Sequence, residues 1–288
     1  MTANSSKKVL LVTGTTSGIG RVVALDAAAA GYSVVATGRD VERMKDLARE
    51  AVRRGVELDI QFLDITDHDG VKALVVDVAD TYGRIDAVVS NAGGIFALGT
   101  AEQITMDGYR FVMETNFFGN LAVIKAALPH LRATRGRLIV VTSANGVMGA
   151  PYNEAYASSK FALEGAVESL APVVARFGVK TTIVEPGPVA TDVMAPRRLE
   201  NLLPYEEIPD NPYPDPWDLL SRIIANTGGV QPVEELGPLF LDLLVSDNPP
   251  LRRQSTPWAV DFVAPKLAAD LDGGKVTAAS EAYLALAD

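Results

Sequence analysis

Short apolar runs alternate along the chain with longer stretches in which apolar positions recur every three or four residues. The first run, 7–13 (KKVLLVT), ends in a glycine-rich turn and leads into a helical stretch over 19–30 that Gly31 stops. The alternation continues with strands predicted over 33–37, 57–63, 85–90, 137–142 and 179–185. Between them lie helices predicted over 41–54, 67–81, 106–134 and 154–177, the third of which has to tolerate Pro129. Strands that are apolar throughout belong to a parallel sheet covered by helices on both faces. The pattern therefore predicts an α/β fold, a doubly wound parallel sheet of about seven strands, with ligands beyond the carboxyl ends of the strands.

After Pro186 the alternation breaks. The segment 191–216 is rich in Pro, Asp and Glu, and a loop of that length is usually functional or disordered, so a substrate lid after the sixth strand is predicted. Helical character returns over 218–226 and 233–245, a last strand falls within 251–263, and the Ala-rich tail after 270 carries no readable pattern. With no internal repeat beyond the strand–helix alternation and no linker, 1–288 is expected to be a single domain. Within it, a substrate loop spans about 192–230 and a C-terminal extension about 264–288.

Composition removes several kinds of chemistry. The 288 residues include no cysteine, which excludes disulfides, thiolate metal sites and thiol catalysis. Two histidines, His68 and His130, are too few for a multi-histidine metal cluster, and no metal site is expected. A formal charge of −10 disfavours nucleic acid and anionic membrane as partners. No apolar segment suits a signal peptide or a membrane span, so a soluble, cytoplasmic protein is expected.

Chemistry concentrates in two stretches. Tyr156 and Lys160 stand at i and i+4 of a predicted helix, and Ser143 lies upstream at the end of the fifth strand. An ammonium beside a phenol favours the phenolate, so Lys160 is expected to lower the Tyr156 pKa and make it an acid/base for a carbonyl/alcohol pair. The second stretch, Thr13 to Gly20 (TGTTSGIG), lies between the first strand and the first helix. Its glycines permit a tight turn and close backbone approach, and the helix N-terminus offers N–H groups to a pyrophosphate. The spacing is G-x-x-x-G-x-G rather than G-x-G-x-x-G.

These motifs, taken in order, resemble the short-chain dehydrogenase/reductase family in its single-domain form. The marks are TGTTSGIG, Asp64 in FLDITD, Asn91-Ala92-Gly93, Asn116 in TNFFG, Ser143, Tyr156 with Lys160, and Pro186-Gly187-Pro188-Val189-Ala190-Thr191. They cover roughly residues 7 to 192. The resemblance implies a Rossmann-type domain. It makes Tyr156 the acid/base, Lys160 its modulator and the holder of the nicotinamide ribose, Ser143 the group that orients the substrate oxygen, and Asn116 the holder of a proton-relay water. Cofactor contacts would come from Gly14, Thr16, Ser17, Gly18, Ile19 and Gly20 around the phosphates and from Asp64 and Ile65 at the adenine. Asn91, Ala92 and Gly93 would line the cleft, and Pro186, Gly187, Val189 and Thr191 would lie against the nicotinamide.

Cofactor choice is expected to turn on the end of the second strand. Gly38 stands where a carboxylate would favour NAD, and Arg39 follows it, which predicts NADP(H) over NAD(H). Asp40 is open to two roles, neutralising Arg39 or capping the next helix. The expected function is NADP(H)-dependent interconversion of a ketone or aldehyde and an alcohol. The stretch 145–191 most resembles the steroid and retinol dehydrogenase branch, with ketoacyl-thioester reductases second. Val147, Met148 and Ala150 suit a hydrophobic substrate and suit a core equally. Alternatives are an NADP-sensing regulator without turnover, an NAD(H)-dependent alcohol dehydrogenase and a redox-neutral sugar-nucleotide epimerase. By the same resemblance, the helices over 106–134 and 154–177 would pair across subunits in a homodimer or homotetramer.

Overall fold

The first apolar run forms β1 (Val9–Thr13), buried at every residue, which pairs in parallel with β2 (Ser33–Gly38) on one side and β4 (Ala87–Ser90) on the other. The computed structural model describes residues 7–191, 205–213, 215–218, 220, 222, 230–275 and 278. Strands β3 (Asp59–Phe62), β5 (Arg137–Val141), β6 (Lys180–Glu185) and β7 (Arg252–Gln254) complete a seven-stranded, all-parallel sheet in the order β3-β2-β1-β4-β5-β6-β7. This is the doubly wound architecture that the apolar strands predict. The order reverses between β1 and β4, and a crevice opens beyond the strands' carboxyl ends there.

Helices α1 (Gly18–Ala29), α2 (Val41–Arg54) and α7 (Leu236–Val245) follow the apolar rows of one face, and Val12, Val23, Leu47 and Phe240 belong to its core. Helices α3 (His68–Tyr82), α5 (Gly119–Thr134) and α6 (Glu154–Ala175) cover the other, around Leu11, Val75, Ile124 and Leu163. Local chemistry sets the ends. Asp40 accepts from the Arg43 N–H at 3.1 Å and so caps α2, which stops at Gly55 in the left-handed conformation (φ 66°). Of the two roles open to Asp40, the structure shows the cap.

The helix predicted over 106–134 is found with those bounds, but its winding changes within them. Helix α4 (Met106–Met113) runs into a single wide turn of π-helix, Glu114–Phe118, before α5 begins. Such a turn inserts one extra residue and re-aims the side chains around it. The last strand falls within 251–263 as expected, as the three residues of β7, while Pro257–Leu267 of the same stretch is helix α8, started by Thr256, whose hydroxyl accepts from Ala259 N–H at 3.0 Å. The helical stretch expected over 233–245 is found with those bounds, a 3-10 turn, Val233–Glu235, leading into α7. The lid predicted over 192–230 and the helix over 218–226 fall largely outside the described residues; of the extension over 264–288, the first four residues end α8, and 276, 277 and 279–288 lie outside the described residues. Among the described residues, no helix is long and apolar enough to cross a membrane.

Candidate active site

Every strand that borders the crevice hands a motif to it at its carboxyl end. The turn after β1 is held by β4: Asn91 Nδ2 donates to the carbonyls of Thr13 at 2.9 Å and Gly14 at 3.2 Å, and Thr13 Oγ1 accepts from Asn91 N–H and Ala92 N–H. The glycines there are steric requirements. Gly14 and Gly18 have φ of 72° and 59°, and a Cβ on Gly20 would sit 2.4 Å from the Gly14 carbonyl oxygen. Ser17 precedes α1 without capping it through its side chain, which leaves the first N–H groups of the helix directed at the crevice. This backbone cradle suits a pyrophosphate, so the residues present fit the nicotinamide dinucleotide that the motifs imply.

Beside the cradle, Arg39 reaches over the crevice half-exposed, with its Nη1 3.7 Å from Asp64 Oδ2. Asp64 also holds the turn after β3 by accepting from Thr66 N–H and from its hydroxyl. Asp67, three residues on, is the residue that caps α3.

Deeper in, α6 presents Tyr156 and Lys160 on one face, both buried, with exposures of 9% and 3%. Ser143 follows β5 in extended conformation and accepts from Asn145 N–H at 3.1 Å, while its hydroxyl bonds to the Tyr156 phenol. Lys160 Nζ donates to the Val141 carbonyl at 3.2 Å and lies 5.7 Å from the centroid of the Tyr156 ring. The expectation that Lys160 draws the phenol's pKa down is not met in this arrangement. Burial pushes the Tyr156 phenol up, and the Ser143 hydrogen bond offsets part of that. The ammonium bears the same cost: burial lowers Lys160 to about 8, against the opposing pull of Glu164.

Asn116 stands in the π-turn, buried behind this group. Its Nδ2 donates to the Gly94 carbonyl at 2.9 Å and to Ser159 Oγ at 3.1 Å, and its Oδ1 accepts from Gly94 N–H. Asn120 Nδ2 in turn donates to the Asn116 carbonyl at 3.0 Å and the Ala92 carbonyl at 2.8 Å. Apart from Gly20 and Asn116, which support the wall from behind, the site residues expected from sequence all line one cleft of about 630 Å³.

The sequence profile of the family described as short chain dehydrogenase matches residues 8–202. The chain belongs to the short-chain dehydrogenase family. Retinol dehydrogenase 8 of Bos taurus is 32% identical, over 90% of this chain and 85% of its own. The 17-beta-hydroxysteroid dehydrogenase type 1 of Homo sapiens is 34% identical, over 87% of this chain and 78% of its own. Among solved structures, a short-chain dehydrogenase from Streptomyces avermitilis superposes with a TM-score of 0.77 at 31% identity, covering 92% of this chain and 94% of that one. Dehydrogenases and reductases of this family act on CH–OH and C=O groups of small molecules with NAD(P)(H), and the present chain is an enzyme of that class.

This short-chain dehydrogenase has a further wall that the motifs do not reveal. Phe96, Leu98, Tyr152, Trp258 and Phe262 line the outer part of the cleft. Trp258 stacks on Phe262, with centroids 4.9 Å apart and planes 13° apart, and its ring packs so close to Gly187 that a Cβ there would meet it at 2.9 Å. Tyr205 ties the returning edge of the long loop to this wall, its hydroxyl donating to the Leu98 carbonyl at 2.9 Å. The spacing of Trp258 and Phe262, four residues apart after the helix-starting Pro257, is the sequence signal for this wall.

Proposed function

We propose that this dehydrogenase is an NADP(H)-dependent carbonyl reductase and alcohol dehydrogenase for a bulky, apolar substrate. The observation that carries the proposal is the convergence of Ser143, Tyr156 and Lys160 in one cleft with the glycine cradle. When bound, the nicotinamide supplies or accepts the hydride. Ser143 and Tyr156 hold the substrate oxygen between two hydroxyls. In reduction, Tyr156 Oη–H donates the proton to the carbonyl oxygen, and its elevated pKa keeps that proton in place at neutral pH. In oxidation the phenolate accepts the alcohol proton, and the Lys160 ammonium is the charge that steadies it. Asn116 fixes the strand-end loop over the cleft, and its hydrogen bonds make it a positioning residue rather than one in contact with substrate. Retinol and steroid dehydrogenases among the relatives, and the aromatic wall of Trp258, Phe262, Phe96 and Tyr152, support an extended apolar substrate body.

The test is NADPH consumption with a panel of retinoid, steroid and acyl ketones or aldehydes; absence of turnover with tight NADPH binding would favour the sensing regulator instead. Arg39 carries the cofactor preference through a charge-assisted contact to the 2′-phosphate worth about 2 kcal/mol. Arg39→Ser is therefore expected to raise the Kd for NADPH about thirtyfold and leave that for NADH unchanged, as read by fluorescence titration. Equal weakening of both cofactors would show that Arg39 does not select between them. Trp258→Ala is expected to raise KM about tenfold or more for polycyclic substrates and little for a short-chain ketone, through loss of the wall on which the ring system lies. We further propose a cytoplasmic single-domain enzyme acting as a homodimer or homotetramer, with light scattering as the measurement of its size.

A further inference from the structure

One turn beyond Lys160, α6 carries a second buried acid. Glu164, 4% exposed, has Oε1 at 2.5 Å from Thr142 Oγ1 and Oε2 at 2.5 Å from Arg252 Nη1. The same guanidinium, 6% exposed, meets Glu185 Oε1 at 2.6 Å and is also paired with Glu168. Three carboxylates thus share one cation in a medium that punishes uncompensated charge. Burial raises the Glu185 pKa, which the hydrogen bonds it accepts from Gln254 Nε2 at 2.8 Å and from Arg252 partly offset, and Glu168 is a third exposed.

Hydrogen-bond valence identifies Glu164 as the proton carrier. The Thr142 hydroxyl has one hydrogen, yet it lies 2.5 Å from Glu164 Oε1 and 3.1 Å from the Val184 carbonyl oxygen. A neutral Glu164 donates to Thr142 Oγ1, which donates onward to Val184, and both contacts are made. An ionised Glu164 would compete with the Val184 carbonyl for that one hydrogen. Burial, reinforced by Glu185, raises the Glu164 pKa to about 7. With Glu164 neutral, the ammonium of Lys160 and the guanidinium of Arg252 balance Glu168 and Glu185. With Glu164 ionised, a negative charge faces Lys160 from one helical turn away.

We propose that Glu164 is a positioning residue for the reaction, an acid that releases its proton to solvent as the medium turns alkaline and so holds Lys160 as an ammonium. The proposal rests on the roles given to Tyr156 and Lys160 above. The groups bearing on Glu164 are Lys160 and Glu168 from its own helix, Glu185 from β6, Arg252 from β7 and the neutral Thr142 after β5. Lys160 needs such support, since Val141 offers it a carbonyl dipole and no charge, and burial lowers it to about 8.

Glu164→Gln keeps an N–H for Thr142 and an oxygen for Arg252 and removes the ionisation. The Lys160 Cε resonance, assigned through its loss in Lys160→Met, is titrated in the full chain without cofactor or substrate. The Lys160 midpoint is expected about one pH unit lower in Glu164→Gln, a roughly tenfold loss of proton affinity. Coincident midpoints would overturn the proposal. The wild-type chain supplies an independent reading: infrared difference spectra with ¹³C-labelled glutamate should show a protonated carboxyl band near about pH 6 that is gone by about pH 9. Its absence near pH 6 would also overturn the proposal. In alcohol oxidation, the alkaline fall of kcat should begin about one pH unit earlier in Glu164→Gln with KM unchanged, and superimposable profiles count against it. Failure of both proteins to turn over any alcohol would overturn the catalytic reading of the cleft, whereas the Lys160 titration decides the role of Glu164 either way.

Discussion

Tyr156→Phe is expected to lower kcat by roughly a thousandfold for both carbonyl reduction and alcohol oxidation, with KM and NADPH affinity changed by less than about threefold. The substitution removes one oxygen and leaves the ring, 9% exposed on α6, packed as before. What is lost is the atom that passes the proton and accepts the Ser143 hydrogen bond. In reduction a neutral phenol is the required form, and burial holds Tyr156 in that form at neutral pH. A reductive rate that falls toward alkaline pH follows from this ionisation, and an oxidative rate is raised by it until loss of the Lys160 proton turns the profile down. Steady-state kinetics across pH on both proteins checks this, and a Phe variant that kept even a tenth of kcat would remove Tyr156 from the proton path.

Arg252→Met is expected to destabilise the fold by about 4 kcal/mol near neutral pH, which lowers Tm by roughly 10 °C. The loss comes from three carboxylates left facing one another without a cation, two of them, Glu164 and Glu185, 4% and 0% exposed. Its pH dependence separates charge from packing. Burial raises both Glu164 and Glu185, so each binds its proton more tightly in the folded chain than in the unfolded one. Stability from such groups is fully present below the unfolded carboxyl pKa and is lost as pH rises through the folded values, to about 7 for Glu164. Removing Arg252 raises those values further, so the deficit should be small near pH 5 and large near pH 8 by thermal denaturation. A deficit independent of pH would mean that Arg252 serves the core by its carbon stem alone.

Much of the fold and the inner site was legible because both rest on local rules. Continuous apolar runs separated by helical periodicity suffice for a parallel sheet, and six of the strands follow that pattern in order. The glycines of the β1–α1 turn and the Tyr156–Lys160 spacing announce themselves because backbone approach and a helical turn fix their positions. What was not legible depends on contacts made across the chain. Lys160 and Tyr156 four residues apart suggest a lowered phenol pKa, but burial among distant side chains reverses the sign. Strand β7 is legible only as falling within 251–263, since Arg-Arg-Gln has no apolar alternation to set its bounds; Arg252 is buried because Glu164, Glu168 and Glu185 surround it from two other elements. Trp258 and Phe262 fall in the stretch expected to hold the last strand, and they join the cleft only once α8 is placed over Gly187.

The wide turn at Glu114–Phe118 has a bearing on how this protein can change over generations. Upstream of it, α4 packs Val112 with Phe96 and Ala155 near the mouth of the cleft; downstream, α5 sends Ile124 and Leu131 into the sheet's core. One inserted residue separates the phase of these two faces, so losing it would swing one half by about 100° relative to the other. Asn120, which braces the Ala92 and Asn116 carbonyls, would then face elsewhere. Point substitutions can therefore accumulate at the mouth without disturbing the interior, while a single-residue deletion between Met113 and Gly119 closes that route. The lineage is free to alter what it admits, so long as it conserves the count.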